Sequence, residues 1–381
     1  MLITVTLAAA CAHNTTPSKG APSSTAQSST SSIVPSSTTA VPASTPATNG
    51  PSSSSAVVTP AAQAFLARYV TADGRVIRHD QGGDIVSEGQ AYGMLIAELA
   101  GDSTTTQRIW SWTQQHLQRP DELLSYHANG DGSVLDPQSA SDADILIAFA
   151  LLRYNGANSD ALHADGKQVA AAVLAHETTQ LPDGTPVVAA GPWAVAAVST
   201  IDVSYWMPGV YDMLAVLTGD QRWSRAASGS IHLLQQLTDS GKQLPPDWAQ
   251  LQNGDITAIA APGGSAPIQY GLDAQRVPVW LATSCTADGV KLAADWSTVL
   301  SVGDRDKAIA LTLDGAVTNP SQNPLPPIAA AASAQAAGDH AAAAELLANA
   351  QSEAAQNPTY YGDAWAVLGP ALLAGGLTPC Q

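Results

Sequence analysis

The strongest constraint on this chain is a helical period that recurs about twelve times beyond residue 60. Apolar residues return at three- and four-residue spacing near 60–70, 88–100, 103–117, 141–154, 159–176, 203–218, 220–238, 273–285, 289–302, 326–337, 339–354 and 360–375. This is the pattern of helices that bury one face. No segment of comparable strength alternates as a half-buried strand does. Four junctions carry one dipeptide, Gly101-Asp102, Gly219-Asp220, Gly303-Asp304 and Gly338-Asp339. The glycine suits a left-handed helix stop, and the aspartate that follows can cap the next helix. Such turns reverse the chain tightly. Twelve helices in roughly 320 residues then form about six antiparallel pairs, and closing the pairs into a ring buries every inner face. The expected fold class is all-α, an (α/α)6 barrel or toroid of six helical hairpins. A helical solenoid is the competing arrangement, and no residue-level repeat beyond the Gly-Asp turns favours it.

Ahead of this region the chemistry differs. Met1–Cys11 reads as an apolar export signal too short to span a bilayer of about 30 Å, with Cys11 a possible lipid attachment site. Ala8 stands where a lipobox has leucine, and no basic residue precedes the apolar run. From Cys11 to Pro60, 30 of 50 residues are Ser, Thr or Pro and Lys19 is the sole formal charge, too little apolar surface to offset chain entropy. The expected organisation is a signal at 1–11, a disordered linker at 12–59 and one folded domain at 60–381, opened by Thr59-Pro60 as cap and first-turn proline. An extracellular or cell-surface protein follows, held to a membrane only through Cys11, with a monomer as the simplest state. Cys285 and Cys380 could then form a disulfide or remain two buried thiols.

Composition narrows function. The chain has 381 residues, 45% of them apolar, with 15 basic against 32 acidic side chains and a net charge of −17. That field repels phosphate backbones, so no nucleic-acid partner is expected. Eight His and three Cys show no metal-ligand spacing, and no Gly-rich phosphate loop is present, so neither metal nor nucleotide cofactor is expected. Nine Trp and nine Tyr against two Phe suit either sugar-stacking surfaces or a helical core.

Three stretches carry candidate chemistry. Ser87-Glu88-Gly89-Gln90-Ala91-Tyr92-Gly93 places a capping serine and a carboxylate at a helix start, with two glycines four apart on one face where something must approach closely. Ser141-Asp142-Ala143-Asp144 opens an apolar helix with two acids pointing in different directions, one suited to capping and one to a central cavity. In Asp273-Ala274-Gln275-Arg276 the acid and the base share a helix face at three-residue spacing, which by itself describes an ion pair.

Taken together, SEGQAYGML, IWSWTQQHL, ASDADILIA, SYWMP, LPPDW, LDAQR and YYGDAW occur in the order that resembles glycoside hydrolase family 8 across nearly the whole domain. That family comprises inverting bacterial enzymes on an (α/α)6 barrel. The resemblance implies that Glu88 is the general acid, Asp273 the general base, and Asp142 the group that holds the sugar ring in its distorted form. It places Tyr205 and Arg276 at substrate-binding positions that orient the water or the base. Tyr126, Trp193, Trp248 and Tyr361, in loops or near helix ends, are candidate sugar platforms. Trp110 and Trp112 suit core or cleft equally.

An inverting hydrolase needs carboxyl groups about 6.5–9.5 Å apart, leaving room for water. Its acid must stay protonated near neutrality, so burial and a neighbouring carboxylate, with Asp142 the candidate, must outweigh a helix dipole of about 0.3–1 kcal/mol. The expected substrate is a β-1,4-linked polysaccharide, glucan first, with xylan and chitosan as alternatives. A catalytically inactive, surface-tethered polysaccharide binder is the rival from another class. Leu272 stands where the family commonly has tyrosine, Tyr126-His127 where a tryptophan-containing segment is expected, and Ile145 for Leu or Met. The stretch 250–268 is a long connection that could cover the cleft or shift Asp273.

Overall fold

The computed structural model describes residues 53–377. The expectations for the signal, for Cys11, for most of the linker and for Cys380 lie outside the described residues; Cys285 is disulfide-bonded. Thr59-Pro60 does not open the first helix as expected, because that helix starts at Ser53 and Pro60 lies inside it.

Among the described residues, thirteen α-helices follow one another: α1 Ser53–Tyr69, α2 Ser87–Leu99, α3 Ser103–His116, α4 Ser141–Arg153, α5 Ser159–His176, α6 Pro208–Thr218, α7 Arg222–Leu237, α8 Val277–Ala282, α9 Ala287–Asp295, α10 Ser297–Leu300, α11 Leu325–Ala336, α12 His340–Gln356 and α13 Tyr360–Leu373. All twelve expected helical segments are present, the ninth divided into α9 and the single turn of α10. Helices α2, α4, α6, α8, α11 and α13 contact one another in sequence, and α13 returns to α2, which closes an inner ring. Helices α3, α5, α7, α9 and α12, with α1 against α13, form the outer layer. The fold is the (α/α)6 barrel.

Burial explains which helix takes which layer. Helix α4, SDADILIAFALLR, buries every residue except Arg153, whereas outer α12 buries only Ala343 and Ala350. Arg153 emerges at the far end, pairing with Glu98 at 2.6 Å and donating to the Leu377 carbonyl at 2.8 Å. Of the nine tryptophans, Trp206, Trp223, Trp296 and Trp365 are fully buried, and Trp110, Trp112 and Trp280 nearly so. Most of the aromatic bias therefore serves packing, and Trp110 and Trp112 are core residues. Nε1 of Trp206 and of Trp296 finds a carbonyl, Val188 and Gln243, each at 2.9 Å.

All four Gly-Asp junctions have glycine in the left-handed region. Asp102 and Asp339 accept from Thr105 and Ala342 amides at 3.0 Å, and the Gly-Asp turns join α2 to α3, α6 to α7 and α11 to α12. Gly303-Asp304 departs from the expectation: it leads into a β-hairpin, Ala310–Leu311 with Val317–Asn319, rather than a helix.

Two prolines reposition helix starts. The expected helices at 203 and 273 begin instead as 3-10 turns, Val203–Tyr205 and Ala274–Arg276, with Pro208 and Pro278 in the first turns of α6 and α8. This leaves Tyr205 and Asp273 in turns at the N-terminal mouth of the inner ring. The stretch 250–268 is also more ordered than a loose connection. Strand Trp248–Gln252 pairs with Ser199–Asp202 on one side and Asp255–Ile259 on the other. Its sequence, WAQLQ, lacks the strong alternation by which strands are recognised.

Candidate active site

Each inner helix is entered from the same end, because an outer helix carries the chain back. The residues ahead of α2, α4, α6, α8 and α13 therefore converge, and the positive ends of the helix dipoles face one acidic mouth.

Glu88 lies in the first turn of α2. The residue at the cap position is Val86, so Ser87 does not cap the helix, and its buried hydroxyl has no hydrogen-bond partner. Tyr92, one turn on, donates to Glu88 Oε1 at 2.6 Å. The glycines beside Glu88 answer to packing rather than to a ligand. A Cβ on Gly89 would meet Tyr360 Oη at 3.0 Å, and one on Gly93 would meet Val76 Cγ2 at 2.7 Å.

Asp142 and Asp144 open α4 in different directions. Asp142 takes the cavity role, with Oδ2 facing the mouth and Oδ1 accepting from the adjacent Ala143 amide at 2.8 Å; the cap position belongs to Ala140, so neither acid caps the helix as expected. Asp144 points behind it, accepting from the Leu124 amide at 2.8 Å.

Arg276 organises the mouth. Its Nη1 reaches Glu88 Oε1 at 3.2 Å, Asp142 Oδ2 at 3.0 Å and Tyr92 Oη at 3.3 Å. Its Nη2 reaches Ser204 Oγ at 2.5 Å, Asp273 Oδ1 at 3.4 Å and Asp202 Oδ2 at 4.0 Å. The guanidinium carbon lies 5.6 Å from the Tyr205 ring centroid. An arginine fork suits this role because its planar donors hold several carboxylates at fixed angles. Glu88 and Asp273 touch different terminal nitrogens of one guanidinium. That fixed fork keeps their nearest oxygens no more than about 9 Å apart.

This arrangement changes one expectation. The guanidinium stands between Glu88 and Asp142, so the like-charged neighbour anticipated for Glu88 is bridged by a cation. Arg276 is also just 4% exposed, with Nη1 and Nη2 held by carboxylates and hydroxyls and a buried Nε that finds no hydrogen-bond partner.

Burial dominates the electrostatics. It pushes Asp142 and Asp273 each up to about 7, with Arg276 opposing and Glu88 reinforcing in both. Asp202 is pushed well above the ordinary carboxylate range by burial and then by Asp273. Several acids around one buried cation cannot all ionise cheaply, and these proton affinities express that.

The four aromatic candidates are all half-buried. The carbonyl of Tyr126 accepts from the Ser87 amide at 2.9 Å. Trp193 Nε1 donates to the Ser139 carbonyl at 3.2 Å. The Trp248 indole lies beside Asp273 and favours its anion, and Tyr361 Oη donates to the Leu272 carbonyl at 3.4 Å.

Residue-by-residue reading had singled out neither Tyr92, Asp202, Ser204 nor Asp247. Tyr92 had a signal, its four-residue spacing from Glu88. Ser204 and Asp247 lie within the SYWMP and LPPDW segments, but like Asp202 they reach the mouth through turns far away in sequence, which no local spacing indicates.

A second acidic pair supports the wall behind Asp142. Asp144 and Glu177 are both buried, and Glu177 Oε1 accepts from Ser139 Oγ at 2.6 Å. Their other oxygens find no separate donor, and the two carboxyls interact, which fits one shared proton. Burial pushes Glu177 up to about 8 and Asp144 well above its usual range. An unfolded carboxyl titrates near about 4, so this contribution to stability is complete below that pH and is lost as pH rises toward 8. Glu177→Gln is expected to flatten the fall of stability between pH 5 and 8 by up to about 1.4 kcal/mol per pH unit, read from thermal melts. An unchanged slope would remove the shared proton.

A ring of twelve main helices with an acidic mouth and flanking aromatic rings defines a class, the (α/α)6-barrel glycoside hydrolases. The chain belongs to the glycosyl hydrolases family 8, whose family model matches residues 46–369. It is 33% identical over 225 residues to a probable endoglucanase of Novacetimonas hansenii, covering 57% of this chain and 64% of that protein. It is 26% identical over 223 residues to an endoglucanase of Cellulomonas uda, covering 57% and 61%. The chain thus matches less than two thirds of the length of these relatives. Among solved structures, the endo-β-1,4-glucanase of Acetobacter xylinum superposes with a TM-score of 0.67 at 26% identity, covering 83% of this chain and 98% of that one.

Proposed function

We propose that this protein is an inverting, endo-acting hydrolase of β-1,4-linked glucan, with Glu88 as general acid and Asp273 as general base. The observation that carries the reading is the shared guanidinium: Arg276 holds both carboxylates at one mouth, close enough to flank a single glycosidic bond and a water. Family membership and the endo-β-1,4-glucanase relatives support the polymer and the mode of action.

Both hydrogen bonds to Glu88 use Oε1, which leaves Oε2 to carry the proton to the glycosidic oxygen. Asp273, one quarter exposed, takes a proton from water as that water attacks the anomeric carbon from the opposite face. The C–O bond breaks, the leaving sugar receives the Glu88 proton, and the product carries inverted configuration. Asp142, held between the Ala143 amide and Arg276, lies beside the acid to grip the distorted ring. Asp273 works only as the anion. With its proton affinity raised to about 7, kcat/KM rises with pH through that value on its acid limb.

The experiment is hydrolysis of soluble β-1,4-glucan, xylan and chitosan, followed by proton NMR of the first products and a pH profile. The expected result is fast loss of viscosity on glucan, α-configured reducing ends formed first, and an acid limb near pH 7. Polymer binding with no cleavage of any of the three would establish the inactive binder instead. A β-configured first product would exclude inversion. Residues 1–59 support export and surface attachment through Cys11, which mass spectrometry of the mature N-terminus tests.

A further inference from the structure

Asp247 lies immediately before Trp248 and is buried. Its Oδ1 accepts from two backbone amides, Gly271 at 2.7 Å and Ala274 at 2.9 Å, which bracket Asp273 in the chain. Its Oδ2 accepts from Gln269 Nε2 at 3.0 Å. Its own backbone joins the two turns of the mouth, donating to the Gln269 carbonyl at 2.9 Å and accepting from the Val203 amide at 3.2 Å. Gly271 makes this approach possible: a Cβ there would stand 2.3 Å from Asp247 Oδ2.

We propose that Asp247 is the positioning residue for the general base: its carboxylate ties down the backbone on both sides of Asp273 and sets a second negative charge behind it. The inference rests on the assignment of Asp273 as base. A neutral cap would hold the turn equally well, because both amides bond to one oxygen. What the charge adds is proton affinity, since an anion behind a carboxylate makes it a stronger base. The groups facing Asp273 are Arg276, Asp247, Glu88, Asp202 and the hydroxyl of Tyr205, with the Trp248 indole alongside. Arg276 lowers its affinity most, and among the charges that raise it Asp247 ranks ahead of Glu88. Three donors favour the anion of Asp247 itself, against burial, which pushes it upward.

The test is the pH dependence of kcat and KM on soluble β-1,4-glucan for wild type, Asp247→Asn, Gln269→Ala and Asp273→Asn. Asparagine retains the oxygen that serves both amides and removes the charge. For Asp247→Asn we expect KM within about twofold of wild type, kcat lowered about tenfold, and the acid limb moved to lower pH by about one unit. Gln269→Ala, at a partly exposed residue that strips one donor from the carboxylate, shifts the limb in the same direction by less. An acid limb unmoved in both variants overturns the proposal and leaves Asp247 a backbone cap. If Asp247→Asn does not fold, an unmoved limb in Gln269→Ala overturns it alone. An inactive wild type, or a fully active Asp273→Asn, defeats the assignment of the base and this inference falls with it. Active wild type, inactive Asp273→Asn and an unmoved limb defeat only the role of Asp247.

Discussion

Glu88→Gln is expected to fold like the wild type and to hydrolyse soluble β-1,4-glucan about 10³-fold more slowly or worse. Glutamine fills the same volume and can still accept from Tyr92 Oη and Arg276 Nη1, the two groups that hold Glu88 Oε1. It cannot deliver a proton, and a sugar alkoxide is a poor leaving group. The loss is therefore specific to substrates that need protonation. A dinitrophenyl cello-oligosaccharide, whose leaving group departs without a proton, should be cleaved by Glu88→Gln at a rate approaching that of the wild type. Asp273→Asn should gain nothing from it, because water still needs its base. Steady-state rates on the two substrates separate the roles. Wild-type glucan hydrolysis by Glu88→Gln removes Glu88 from the chemistry.

Arg276→Met removes the one cation that four carboxylates share. Breaking a buried ion pair by deleting one partner costs about 3–5 kcal/mol, because the remaining charges stay buried without compensation. The expected loss is of that order near pH 8, about 4–7 °C in Tm for a domain of this size, together with loss of activity. The pH dependence has a definite sign. Without the guanidinium, Asp142 and Asp273, already raised to about 7 beside it, hold protons more tightly still. At pH 5 they are neutral in the folded state and the missing cation matters less. The difference in Tm between Arg276→Met and wild type should therefore shrink as pH falls from 8 to 5. A difference independent of pH would mean that Arg276 contributes packing rather than charge compensation.

The helices were legible in the sequence because helix formation is governed by local periodicity. Apolar spacing and Gly-Asp punctuation located all twelve segments, and the capping aspartates at 102 and 339 behave as local chemistry requires. Where local rules misled, a stronger constraint acted. Pro208 and Pro278 delayed two helix starts. Ser87 surrendered the cap position to Val86, whose extended backbone continues a short strand into the helix. Most of the tryptophans went to the core because large rings fill a helical barrel as readily as they stack on sugars.

The site divides in the same way. Glu88, Asp142 and Asp273 were recognisable because motif order along the chain resembles a family, and Asp273 with Arg276 could be read as a three-residue pair. The sequence by itself determined twelve helices, three of the four Gly-Asp turns and the acids at the inner helix starts, all set by interactions between residues a few positions apart. Only the closed ring decided that Arg276 faces four carboxylates, that Asp247 lies beneath Asp273, and that Asp144 meets Glu177. Those contacts join residues up to 188 positions apart. Their geometry and proton affinities depend on burial that no isolated segment possesses.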